Sequence, residues 1–308
     1  MSSSSMSPAL YGSTPMAEKP RGPASLGKRR LNPMGVNLAF LGPWLLFTAV
    51  IAVRSLTTRV TSPVFSWLVV LGAGAFVVAI FVLAGRAVIR QGLDGALREP
   101  LWYVFVALTS LLAFVAALSL AEKSWNNYGR LYYSLSHLND YSEVNPSTMH
   151  GAQLMDAGSV KFVDSAAINE KLGMAFRNEA TYCVAPITTG GASQNSYDFW
   201  AVGLDCCSGS GNFECGAYSN KLAHHGMRWV HEAQTDFYRL AVQQSQALNH
   251  IRVDYPLFFR WVSDPVAEQE GWLAGARKML LLCVGGFFFL QLMLVACALI
   301  FFAKLGAM

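Results

Sequence analysis

Apolar residues gather in four long runs, Val36–Val53, Phe65–Gly85, Leu101–Ala121 and Met279–Ala303, and none carries a charge in its interior. Each is close to the roughly 20 residues that a helix needs to cross a bilayer core, so the pattern predicts four membrane spans. Between the third and fourth runs the period changes. GSVKFVDS (158–165), ATYCVAPI (180–187) and the stretch 197–205 are rich in β-branched and aromatic residues between Ser and Gly clusters, which predicts three strands. Leu131, Tyr132, Leu135 and Leu138 follow the third run at helical spacing. The third helix is therefore expected to project beyond the bilayer as far as a break near Asn145-Pro146. The stretch 219–251 sets Leu222, Gly226, Trp229, Ala233, Phe237, Leu240, Gln244, Leu248 and Ile251 on one face, which predicts a single long amphipathic helix. Ser263-Asp264-Pro265 reads as the N-cap and first turn of a helix that passes Trp272 into the fourth run.

The predicted fold class is a membrane all-α four-helix bundle with an α+β, disulfide-stapled extracytosolic domain between spans three and four. Residues 1–34 form a Ser-, Pro- and Gly-rich tail without apolar period, expected to be disordered and cytosolic. Residues 35–121 hold spans one to three, 122–278 the outer domain, and 279–308 the fourth span and a short cytosolic end. Composition agrees: the chain is 53% hydrophobic and 14% charged, where charged residues make up about a quarter of a soluble domain.

Charge sets the orientation. Residues 122–278 carry 12 Lys/Arg and 16 Asp/Glu, a net −4, while the rest of the chain carries a net +8. Lys19, Arg21, Lys28, Arg29, Arg30, Arg86, Arg90, Arg98 and Lys304 fall on one predicted side. The positive-inside rule places that side, and both termini, in the cytosol. The expected location is the plasma membrane or the endomembrane system, with an organelle membrane as the alternative. The basic residues are expected to meet the anionic heads of the lipid bilayer; they are not a nucleic-acid signal.

Of six cysteines, Cys283 and Cys297 lie in the last span, and Cys183, Cys206, Cys207 and Cys215 lie in the outer domain. Four cysteines in an extracytosolic loop predict two disulfides. A bond between the adjacent Cys206 and Cys207 is strained, which leaves 183–206 with 207–215 or 183–207 with 206–215. Zinc is disfavoured, because adjacent cysteines lack the C-x-x-C spacing of a knuckle. His224, His225 and His231 form a histidine cluster, with His224 and His231 on one face of the predicted helix. Neither HExxH nor GxSxG, a Walker motif or GxGxxG appears, so no catalytic residue, cofactor or metal site is assigned. Glu268 and Glu270 read as solvated helix charges.

Three further features concern association. Leu257, Phe258, Phe259, Arg260 and Trp261 form an aromatic, Arg-bearing stretch that could be a partner contact, set against burial beneath the outer domain. Gln291, a polar residue in the middle of the fourth span, is expected to make an interhelical hydrogen bond, with a conducting path as the alternative. Ala75 and Ala79 are a small-xxx-small pair in span two, expected to pack inside the bundle in preference to forming a homo-oligomer. The outer domain holds no Asn-x-Ser/Thr acceptor free of proline, so no glycan is expected over its surface.

The layout resembles the tetraspanins: four spans, cytosolic ends, a short first outer loop and a large second one bearing a Cys-Cys pair. Cys206-Cys207-Ser208-Gly209 is similar to that family's Cys-Cys-Gly signature with one residue inserted, and Gln291 sits where the family often places a polar residue. The resemblance implies lateral organisation of other membrane proteins without catalysis. The expected function is thus a multi-pass scaffold or complex subunit that meets partners through its outer loop. A channel or transporter component is the alternative, and an outer-face enzyme or metal-binding protein the third.

Overall fold

The computed structural model describes residues 33–94, 99–190, 194–209 and 212–305. Most of the predicted N-terminal tail and part of the inner segment, 95–98, lie outside them. Among the described residues four helices are long and apolar enough to cross a membrane, and they contain all four predicted runs. Helix α1 (Pro33–Ser55) leads through the short α2 (Thr58–Thr61) to α3 (Pro63–Asp94). Helix α4 (Glu99–Ser124) continues through one π-helical turn, Trp125–Gly129, into α5 (Arg130–Ser136). The chain returns in α7 (Pro265–Leu305) after the sheet domain and its helix α6 (Glu232–Asn249). Pro63 and Pro265 each open a helix, where a missing N–H costs nothing. Asp264 caps α7 as its sequence predicts, accepting the amides of Val266 at 2.9 Å and Ala267 at 3.2 Å.

Helices α1 and α4 form the central pair, and both α3 and α7 pack against each of them. Phe47 stacks on Phe287 at 4.3 Å, and the Trp44 indole donates to the Val284 carbonyl at 3.2 Å. The small residues of α3 contribute less than their spacing suggests. Ala75 and Ala79 are exposed on the bundle surface, while Ala73 packs against the interior and a Cβ on Gly74 would come within 3.5 Å of Phe114. Packing has turned the bulkier Val70 and Val77 inward, because apolar volume fills the interior better there.

Among its described residues the sheet domain holds eight strands: β1 (Asn139–Val144), β2 (Ala157–Phe162), β3 (Ala166–Ile168), β4 (Met174–Asn178), β5 (Ala180–Thr189), β6 (Phe199–Leu204), β7 (His225–Arg228) and β8 (Leu257–Val262). Their order is β1-β2-β7-β8-β6-β5-β3, with β4 also pairing β5. The three predicted strands are β2, β5 and β6. Pairs β1–β2 and β6–β8 are parallel and the rest antiparallel. Both faces are covered, and alternation sorts the side chains. Tyr182, Val184, Trp200, Val202 and Phe258 pack beneath α6, while Cys183, Ala185, Phe199, Ala201, Phe259 and Trp261 build a core on the other face.

Two expectations fail here. The segment 219–251 is not one helix. Residues 225–228 form β7, inserted between β2 and β8, and the helix starts only at Glu232. Gly226 explains the choice: a Cβ there would meet the Phe259 Cβ at 2.9 Å, so this backbone fits against β8 only as glycine. The buried face of α6 is also turned: Tyr238, Ala241, Val242 and Ser245 face the sheet, leaving Leu240 and Leu248 exposed. Likewise the third helix ends at Ser136, before Asn145-Pro146, because β1 pairs with β2.

Two helices rise out of the bundle to carry the sheet. Gly275 of α7 crosses the π turn so closely that a Cβ would meet the Tyr128 ring at 2.6 Å. Leu135, Met227, Val262 and Trp272 seal the junction with the sheet. At the same level Arg59 grips both oxygens of Glu122 at 2.8 and 3.3 Å and lies 4.5 Å over Trp125. The Tyr133 hydroxyl donates to Thr57 at 2.7 Å, so the short loop is latched to the rising helix.

Candidate functional site

The disulfide pairing is resolved: Cys183 bonds Cys207, and Cys206 bonds Cys215. Strand β6 ends at Leu204, and Asp205 turns the chain with a φ of 53°. The cysteine pair therefore sits just past the strand rather than on it. Gly203 makes room for the staple, since a Cβ there would strike the Cys215 Cβ at 2.6 Å. Phe213 is driven into the sheet core between the two bridged ends, 6.3 Å from the Tyr218 ring. At the tip, the Ser208 backbone amide donates to Asn212 Oδ1 at 2.7 Å, and Asn212 Nδ2 donates back to the Ser208 hydroxyl at 2.7 Å. The result is a lid over one sheet face. Its outer surface exposes Asp205, Ser208, Glu214, Lys221 and Leu222, and Leu222 is 86% exposed.

The sulfurs of Cys183, Cys206 and Cys215 lie within 4.8 Å of one another. Each is half of a disulfide, so none offers the thiolate that a metal needs.

The histidines do not share a helix face. His224 Nδ1 lies 3.2 Å from the Ala166 carbonyl, His225 is in β7 and His231 stands at the N-cap position of α6 without a side-chain capping bond. Burial, aided by Lys161, lowers the pKa of His225; burial and Arg130 lower that of His231.

Of the two readings of Leu257, Phe258, Phe259, Arg260 and Trp261, a possible partner contact or burial, the structure shows burial. This is β8, an interior strand between β6 and β7, with Phe259 fully buried and only Arg260 partly open. Its large side chains point alternately into the two cores, which is why four of five are apolar. Arg260 turns outward to Glu268, 3.8 Å away.

Sequence reasoning missed Asp198. It is 2% exposed at the mouth of β6 and is the acceptor for four donors from three segments. Its oxygens take the Ser196 hydroxyl at 2.6 Å and the amides of Gly151 at 2.9 Å, Asp254 at 3.0 Å and Tyr255 at 3.2 Å. Burial alone would push this carboxyl up, but those donors outweigh it and hold it below the usual aspartate range. The signal was present: an acid opening an otherwise apolar strand, with Gly151 far upstream. A Cβ on Gly151 would strike the Tyr255 carbonyl oxygen.

A cleft of about 620 Å³ beside Asp198 is lined by His150, Gln153, Asn195 and Arg252. The Ser196 hydroxyl donates a hydrogen bond to Asp198, and His150 stands 3.9 Å from the same carboxylate. That order differs from a nucleophile–base–carboxylate relay, in which the hydroxyl bonds the imidazole. The arrangement ties loops together.

Gln291 is fully buried and donates from Nε2 to the Ala39 carbonyl at 2.8 Å, the predicted interhelical bond. Comparison with known families, curated proteins and solved structures finds no match to this chain.

Proposed function

We propose that this chain is a multi-pass membrane scaffold or complex subunit, non-catalytic, which displays a disulfide-stapled domain to partner proteins. In this reading the four apolar helices are spans, both ends face the cytosol, and 122–278 lies in an oxidising space. The charge split and the two disulfides support that orientation. The tetraspanin-like layout suggests the same role.

One observation carries the proposal. The α4–α5 rod and α7 run without a break from the apolar bundle into the sheet domain and interlock at Tyr128 and Gly275. The lid is thus held at a fixed height and angle, which suits a presenting surface. The partner surface moves accordingly, from the buried 257–261 strand to the lid at 205–224 and its exposed Leu222. Gln291, the residue around which a conducting path would be built, is fully buried and gives its Nε2 to the α1 backbone.

The test is site-specific photo-crosslinking in native membrane with the probe at Leu222 or Lys221. The expected result is a discrete adduct with another membrane protein, lost on reduction and, with the probe at Lys221, in Leu222→Asp. Absence of any discrete adduct from lid positions, in protein shown to be inserted and oxidised, would count against it.

A further inference from the structure

At the end of the bundle remote from the sheet, α1, α3 and α4 do not close on one another. A groove of about 510 Å³ opens there, walled by Gly35 and Gly42 of α1, Ile80 and Leu83 of α3, and Trp102 and Ser110 of α4. A Cβ added to Gly35 or Gly42 would meet nothing within 4 Å. The two glycines thus leave a trough where a side chain would otherwise stand. Apolar walls of such a trough gain the dispersion contacts of close packing only from whatever fills it.

Water is a poor occupant. The Ser110 hydroxyl is buried and unpartnered at the inner end, and an ordered water needs two to four polar partners. A flexible hydrocarbon chain suits the largely apolar lining.

Charge at the mouth narrows the choice. The groove-facing stripe of α3 runs Phe76, Ile80, Leu83 and, at the same helical spacing, reaches Arg90, with Arg86 one turn nearer. Both arginines are exposed, and neither pairs with an acidic side chain among those described. Trp102 and Tyr103 stand on the facing wall, as aromatic residues do at a membrane surface.

The geometry points to a phospholipid site: one acyl chain of an anionic phospholipid lies in the α1/α3/α4 groove, with its headgroup held at Arg86 and Arg90. The inference rests on reading the four helices as spans. In the proposed orientation the groove opens to the cytosolic leaflet, where anionic lipids collect.

Native mass spectrometry of the full chain, released from nanodiscs of mixed phosphatidylcholine and phosphatidylglycerol, reads the site directly. The expected result is one retained lipid per chain, with phosphatidylglycerol enriched at least tenfold over its share. Gly42→Leu fills the trough and should cut retention at least tenfold. Arg86→Gln with Arg90→Gln should keep a lipid but abolish the preference. Wild-type occupancy in Gly42→Leu, or an inserted wild-type chain that retains no lipid, overturns the site. So does a crosslink from the groove to the chain's own tail or to another protein in place of lipid. Should Gly42→Leu fail to fold, brominated-chain phosphatidylglycerol should quench the wild type more than Trp102→Phe; equal quenching also overturns the site. Release of the chain from vesicles by alkaline carbonate would instead defeat the membrane reading, which separates the two failures.

Discussion

Gln291 on α7 donates a 2.8 Å hydrogen bond to the carbonyl of Ala39 on α1. Ala39 is four residues before Pro43, which lies inside that helix. An α-helical carbonyl takes its bond from the amide four residues on, and proline has none. The side chain of one helix therefore supplies the donor that the other lacks, and Pro43 and Gln291 form a single device.

Gln291→Leu should lower stability by about 1 kcal/mol, in line with interhelical bonds in membranes. Pro43→Ala returns an amide to Ala39, so in that background the same change should cost less. A double-mutant cycle of thermal unfolding in detergent checks this; strictly additive effects would show that the two positions are uncoupled.

Reduction should loosen the sheet domain and spare the bundle. The bridges span 24 and 9 residues, which by loop entropy corresponds to about 3.4 and about 2.6 kcal/mol. Limited proteolysis with and without reductant reads the change. The expected cuts fall in 205–224, with the helices still protected.

Asp198 should set the acid limit of the domain. Its folded carboxyl titrates below the ordinary value of about 3.9. Its contribution is therefore complete above that unfolded value and is lost as the pH falls through the folded one. Hydrogen exchange at 149–151 and 252–255 should rise below about pH 4. Asp198→Asn should be destabilised by about 2 kcal/mol at neutral pH, with a flatter acid response. An unchanged acid profile in the variant would contradict the assignment.

Gly275 should be intolerant of bulk. Gly275→Leu drives a side chain into the Tyr128 ring and should separate α7 from the π turn. The expected outcome is a lower unfolding temperature and lost protection around Leu135 and Trp272. Tyr128→Ala in the same chain should recover part of the loss, which a merely propensity-based effect would not allow.

The sequence by itself determined whatever depends on neighbouring residues. Four apolar runs specify helices of spanning length, because hydropathy sums along one segment. Asp264-Pro265 specifies a helix start, because a cap bonds amides two and three residues away. The cysteine count specified two bridges. The tertiary structure decided what depends on residues far apart. The stretch 225–228 left its helical period to become a strand because β2 and β8 supplied hydrogen bonds on both sides. The aromatic run at 257–261 went inside for the same reason, since an interior strand of a two-faced sheet is apolar on both sides and reads like an exposed patch. The pairing of Cys183 with Cys207, the saturation of Asp198 and the meeting of Gln291 with Ala39 each join segments at least 24 residues apart, up to 252 for the last. No local pattern encodes such distances; only the packed chain brings those atoms together.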